Sequence, residues 1–224
     1  MKGKLIIIDG CDGSGKATQS KLLENRLREE SKKIKRIEFP DYSSESSALV
    51  KMYLDGMFGK NAEDVNPYVA STFYAVDRYA SFKTKWKDFY ENGGIILADR
   101  YTTSNMLHQA AKISDTNEKN KFLKWLCDFE YNLFGLPTPD LVIFLDVPPE
   151  YTIELMKNRN NKYSGRKDKD IHERNYQFVK ESYQNALLVS KEYGWERIEC
   201  LKNGKMLKID EIHSIIYEKI MSIF

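Results

Sequence analysis

Residues 5–18, LIIIDGCDGSGKAT, constrain the fold more than any other stretch of the chain. A short apolar run, Leu5 to Ile8, breaks at Asp9 and Gly10, then passes through Gly13 and Gly15 to Lys16, and a helix-like segment follows at once. Buried strand, glycine-rich turn and helix N-terminus, in that order, make a phosphate-binding loop rather than an ordinary turn. Glycine permits backbone geometry in which successive N–H groups of residues 10–18 point inward at an anion. The helix dipole adds partial positive charge there, and Lys16 is placed to reach the β and γ phosphates of a nucleotide. The loop comprises Gly10, Cys11, Asp12, Gly13, Ser14, Gly15, Lys16, Ala17 and Thr18. It departs from G-x-x-x-x-G-K-[ST] at one place. Ala17 stands where a hydroxyl ordinarily ligates Mg²⁺, and Thr18 comes one position too late to be counted as its replacement.

The 224 residues fit one domain over 1–224 and are enough to bury a sizeable core. An apolar share of 42% with 30% charged residues belongs to globular rather than disordered chains. A net charge of only +2 gives no global basic field for nucleic acid, so anion recognition rests on local clusters. Cys11, Cys127 and Cys200 are scattered, without metal-ligand spacing or a disulfide framework. The first apolar run is too short for a secretory leader and none reaches membrane-spanning length, so a cytoplasmic setting is expected.

Five apolar runs read as strands, at 5–9, 36–39, 95–99, 141–146 and 197–201. They are continuous rather than alternating, as in parallel strands covered on both faces. Helical patterns lie between them, at 18–30, 48–54, 69–91, 104–111, 119–133, 149–158, 171–192 and 208–223. This alternation predicts a three-layer α/β fold, a five-stranded parallel sheet with helices on both faces. Ligands then bind beyond the carboxyl ends of the strands. Charged and aromatic residues gather at those ends: the phosphate loop, Phe39-Pro40-Asp41-Tyr42, Asp99-Arg100-Tyr101 and Asp146.

A phosphate donor on the loop needs an acceptor held nearby. Tyr74 and Arg78, four apart, share one helix face. A guanidinium can fork onto phosphate oxygens while an aromatic ring stacks on a base, although an amphipathic helix with a surface ion pair has the same spacing. Arg100, at a strand end, can meet the same ligand. Asp12 is costly beside a phosphate cradle unless it accepts a hydrogen bond or approaches a metal. Asp99 is suited to the water shell of Mg²⁺, which partly covers the loss at Ala17. Ser104 also suits a helix N-cap. Neither His172 nor His213 keeps helical spacing with His108, which argues against a histidine metal site.

Taken together, GCDGSGKATQ at 10–19, FPDY at 39–42, FYAVDR at 73–78, DRYTTSNMLHQ at 99–109 and PDLVIFLDVPPE at 139–150 resemble the thymidylate kinases, over nearly the whole chain. The resemblance implies ATP with Mg²⁺ as donor, dTMP as acceptor and a homodimer, for which the aromatic-rich stretch 69–91 is one candidate interface. It implies that Arg78 and Arg100 bind the acceptor, that Tyr74 stacks on thymine, and that Asp12 meets the sugar 3′-hydroxyl. Phe39 and Pro40 fall in the substrate-binding stretch, while Ser104, Asn105, His108 and Gln109 read the pyrimidine edge and sugar. His108 stands where the family commonly has a tyrosine that helps reject a ribose 2′-hydroxyl. The polar segment 157–170 becomes a lid over ATP, with Arg159 or Arg166 as the catalytic arginine beside Lys16 and Asp99. Two alternatives remain open at this point: a deoxynucleoside kinase using a base such as Asp41, and a non-catalytic nucleotide-binding regulator marked by Ala17.

Overall fold

The computed structural model describes residues 2–156 and 171–224. Strand β1 (Lys4–Asp9) leads through the glycine loop into helix α1 (Lys16–Glu29), and β2 (Ile34–Glu38) follows. The next helices are α2 (Ala48–Leu54), α3 (Pro67–Ser81) and α4 (Lys87–Glu91), before β3 (Ile95–Asp99). Then come α5 (Thr102–His108), α6 (Thr116–Cys127), β4 (Leu141–Asp146), α7 (Pro149–Met156), α8 (Ile171–Arg174) and α9 (Tyr176–Glu192). The chain ends with β5 (Glu196–Glu199), the hairpin β6 (Leu201–Lys202) and β7 (Lys205–Met206), and α10 (Ile209–Met221).

The five main strands form one parallel sheet in the order β2-β3-β1-β4-β5. The chain runs from β1 to the edge strand β2, returns to β3 beside β1, then crosses to β4 and β5 on the other side, so the crevice opens at the carboxyl end of β1, flanked by β3 and β4. There Ile8 pairs with Asp99 and Asp9 with Phe144. Successive side chains of a strand point to opposite faces. Ile6 and Ile8 pack with Leu23 and Leu27 of α1 and Ile212, Ile216 and Ile220 of α10. Leu5 and Ile7 pack on the other face against Phe82, Trp86 and Tyr90. With both faces covered, β1 buries every apolar side chain, about 1.5–3 kcal/mol each, and the loop after it stands on a rigid base.

Three expected helices differ in form. The stretch 69–91 begins earlier, where Asn66 accepts a hydrogen bond from the Tyr68 N–H and Pro67 opens the helix, and it is interrupted by a π-helical turn at Phe82–Trp86. That turn brings both Phe82 and Trp86 into the core. The stretch 119–133 starts at Thr116, capped by Asp115, and ends in a second π-helical turn, Asp128–Leu133. The stretch 171–192 breaks at Asn175, whose side chain caps α9. Ser104 is not an N-cap: α5 begins two residues earlier, and the Ser104 hydroxyl is used elsewhere.

Candidate active site

The glycine loop is shaped by three residues in left-handed or related geometry, Gly10 (φ 153°), Gly13 (φ 82°) and Gly15 (φ 90°). At Gly10 a Cβ would also collide, 2.7 Å from Ser14 Oγ and 2.9 Å from the Leu145 carbonyl, whereas at Gly15 it would meet nothing within 4 Å. Gly15 directly precedes α1, whose first-turn N–H groups have no intrahelical partner. Asp9, fully buried, anchors the loop from below. Its carboxylate accepts from the Gly10 N–H (2.8 Å), Thr103 Oγ1 (2.6 Å) and Ser104 Oγ (2.9 Å). The loop is thereby tied to α5. Sequence reasoning had Asp9 only as the end of a strand.

Lys16 is buried, and its Nζ donates to the carbonyls of Gly10 (2.9 Å) and Cys11 (2.7 Å). Burial lowers its pKa to about 8, and the nearby Arg100 adds to the effect. Arg100 follows β3 with φ 70°, a strained backbone for a residue with a side chain. One end of its guanidinium, Nη2, donates to Asp12 Oδ1 at 2.7 Å. The other, Nη1, lies 3.0 Å from Ser104 Oγ, 3.2 Å from His108 Nε2 and 3.4 Å from the Gly10 carbonyl. Burial alone would lower the Arg100 pKa, but Asp12 and Asp9 outweigh it and raise it. Facing a guanidinium that only donates, His108 Nε2 acts as an acceptor. Burial and then Arg100 hold His108 neutral, lowering its pKa to about 3.

These residues line one cavity of about 460 Å³. Asp12 through Gln19 form its floor, and Met206, Leu207 and Ile209 also line it. Phe39, Pro40, Tyr74, Arg78, Asp99, Arg100, Ser104, Asn105, His108 and Gln109 all line it. Gly10 and Cys11 do not. Their carbonyls hold Lys16 from behind, and the Cys11 thiol is buried, its pKa pushed up to about 12 chiefly by burial. Ser14 Oγ, on the floor, is buried and has no hydrogen-bond partner among the described residues, as befits a site built for an anion.

Arg78 differs most from expectation. It is 2% exposed, and its Nε and Nη2 donate at 2.6 Å each to the two carboxylate oxygens of Glu130, which is fully buried. Burial would lower its pKa, but Glu130 overrides this and raises it. Arg78 is therefore not a free phosphate clamp: most of its charge is answered inside the protein, and what is left is one N–H of Nη2 and those of Nη1, which lies 3.4 Å from the Tyr101 carbonyl. Glu130 escaped sequence reasoning because nothing near residue 130 in the chain signals the partner 52 residues away.

His172 was set aside for its spacing, yet its ring stacks 6.3 Å from His108 and its Nε2 lies 2.9 Å from the Tyr53 hydroxyl. Among the described residues no group of three or more His, Cys, Asp or Glu side chains is arranged to hold a metal ion. The oxygen donors at the floor, Asp99 and the exposed Thr18, suit a hydrated Mg²⁺ more than a caged one. Asp41 is a poor base. Burial raises its pKa, but hydrogen bonds from Lys85 and Ser43 hold the carboxyl below its usual range. Arg159 and Arg166 lie outside the described residues. No helix among the described residues is long and apolar enough to cross a membrane.

Comparison with known proteins identifies the family. The family model for thymidylate kinase matches residues 8–202. A thymidylate kinase of Mycobacterium tuberculosis is 30% identical over 171 residues, covering 76% of this chain and 78% of the relative. A thymidylate kinase of Schizosaccharomyces pombe is 25% identical over 222 residues, covering 99% and 93%. A solved thymidylate kinase structure from Candida albicans superposes with a TM-score of 0.70 at 24% identity, covering 99% of this chain and 92% of that one. The chain belongs to the thymidylate kinase family, the phosphotransferases that convert dTMP to dTDP with ATP.

Proposed function

We propose that dTMP phosphorylation takes place where Lys16 and Arg100 meet. One observation carries this reading: both cations direct an N–H at the same oxygen, the Gly10 carbonyl, at 2.9 and 3.4 Å. A phosphate oxygen entering the cavity exchanges that neutral acceptor for a charged one, and charge-assisted bonds are about twice as strong. Lys16, the loop N–H groups and Ser14 hold the ATP phosphates on the floor. Arg100 holds the phosphate of dTMP, with Asp12 released to the sugar 3′-hydroxyl. Tyr74 stacks on the base against the wall formed by Phe39 and Pro40, and Asn105, Gln109, His108 and Ser104 line the edge and sugar.

The acceptor phosphate is ionised at neutral pH, so no strong base is needed and catalysis is positioning plus charge neutralisation. Mg²⁺ bound with ATP would neutralise charge on its phosphates; Asp99 would accept hydrogen bonds from its waters, and Ala17 offers no direct ligand. Arg159 or Arg166, from the segment 157–170, supplies a further cation to the transferred group. A cytoplasmic homodimer completes the reading. In support, the three cysteines are free, and Val69, Val76 and Tyr79 form an exposed apolar line along α3. A deoxynucleoside kinase is not favoured, since its candidate base Asp41 is engaged by Lys85 and does not reach the cavity. The test is steady-state kinetics of Arg100→Ala. The KM for dTMP rises about ten- to hundredfold while that for ATP changes little, since a lost charged contact costs about 1.5–3 kcal/mol. An equal rise in both would refute the division of roles.

A further inference from the structure

We propose that Glu130 is a positioning residue for the acceptor half of the site, acting through Arg78. The proposal rests on that half being where dTMP binds. Glu130 does not line the cavity and has no exposed surface. It sits in the π-helical turn Asp128–Leu133, which ends the helical stretch begun by α6. Its carboxylate accepts two bonds at 2.6 Å from Arg78, which lines the cavity, and one at 2.8 Å from Thr102 Oγ1. Arg78 belongs to α3 and Thr102 to α5, so Glu130 fastens together the two helices that also carry Tyr74, Ser104, Asn105 and His108.

Two parallel bonds fix the plane of a guanidinium as well as its position. With Nε and one N–H of Nη2 taken, Arg78 has only its Nη1/Nη2 end left to offer the cavity, in one direction. Its charge is answered by the carboxylate, so a phosphate is drawn to Arg100 and Lys16 rather than to Arg78. Glu130 thus turns one of the three Lys and Arg side chains lining the cavity into a directed, nearly neutral donor, and gives the acceptor phosphate a single place to settle.

The experiment measures KM for dTMP and for ATP in Arg78→Met, Glu130→Gln, the double variant, Arg100→Ala and Thr102→Val, with a thermal melt of each. In Glu130→Gln one oxygen becomes a donor facing Arg78, and the dTMP KM rises about tenfold or more while the ATP KM moves less than about twofold. Acting only through Arg78, Glu130→Gln adds nothing further in the Arg78→Met background, so the double variant matches Arg78→Met. Thr102→Val removes one neutral bond from the same carboxylate without stranding a charge, and raises the dTMP KM about two- to fivefold. It keeps the test decisive if Glu130→Gln fails to fold. A lowered melting temperature with both KM values unchanged, additive effects in the double variant, or no effect of Thr102→Val would overturn the proposal. An unaltered dTMP KM in Arg100→Ala would overturn the acceptor reading beneath it.

Discussion

Raising the pH should detach ATP from this enzyme before it harms the fold, because Lys16 is held in an environment that disfavours its charge. Burial, with help from Arg100, lowers its pKa from 10.5 to about 8, equivalent to about 3 kcal/mol against the protonated form in the empty site. Bound phosphates restore the charge, so ATP prefers the protonated state. With a pKa near 8, about three quarters of Lys16 is protonated at pH 7.5 and about 3% at pH 9.5, which weakens ATP binding about 25-fold across that window. The terminal phosphate is already ionised at the lower limit, and Lys112, lowered to about 7 chiefly by burial, titrates mostly below it. The stability effect has the opposite sign. A base with a lowered folded pKa costs stability below about pH 8, and that cost is relieved as pH rises from about 8 toward 10.5, so loss of ATP cannot be traced to Lys16-driven unfolding. Calorimetric ATP titrations at pH 7.5, 8.5 and 9.5 measure the slope. Lys16→Arg, which stays protonated throughout, is the control: weaker at pH 7.5, but flat. A flat wild-type profile, or the same slope in Lys16→Arg, would refute the reasoning.

Other perturbations follow from single geometric facts. Arg100→Gly should be more stable than Arg100→Ala by about 1 kcal/mol in denaturant unfolding, because φ 70° costs any residue bearing a Cβ; equal stability would remove the strain at this strand end. Gly10→Ala should lose about 1–3 kcal/mol and weaken ATP binding, since the new methyl meets Ser14 Oγ and the Leu145 carbonyl at under 3 Å; an unperturbed variant would contradict the loop geometry. Ala17→Ser should lower the Mg²⁺ concentration for half-maximal rate modestly, Mg²⁺ being reluctant to shed its waters. Unchanged Mg²⁺ dependence would mean another group already fills that position.

The sheet and its ligand-bearing edge were legible because each depends on local sequence. Continuous apolar runs marked β1, β3 and β4, shorter mixed runs marked β2 and β5, and the glycines between Asp9 and Lys16 marked the loop. Cavity residues from Phe39 to Gln109 were found because they follow strand ends or share one helix face. What escaped depends on contacts across the chain. Glu130 and His172 acquire their roles only when folding brings residue 130 to Arg78 and residue 172 to Tyr53 and His108. The π-helical turns leave the apolar spacing almost unchanged, so 69–91 and 119–133 read as single helices. One miss was avoidable. The expected strand 197–201 splits into β5 and a hairpin, and Asn203-Gly204, both at positive φ, is a strong signal for such a turn.

The most direct test of the account is ADP release by the purified full chain with ATP and Mg²⁺, measured with dTMP, with thymidine and with no acceptor. Convergence of Lys16 and Arg100 on one oxygen predicts release that requires an acceptor already bearing a phosphate. The rate with dTMP should exceed the other two by more than about a hundredfold, the scale of one directed charge interaction. Release driven by thymidine, or ATP binding with no dTMP-dependent release at any Mg²⁺ concentration, would contradict it.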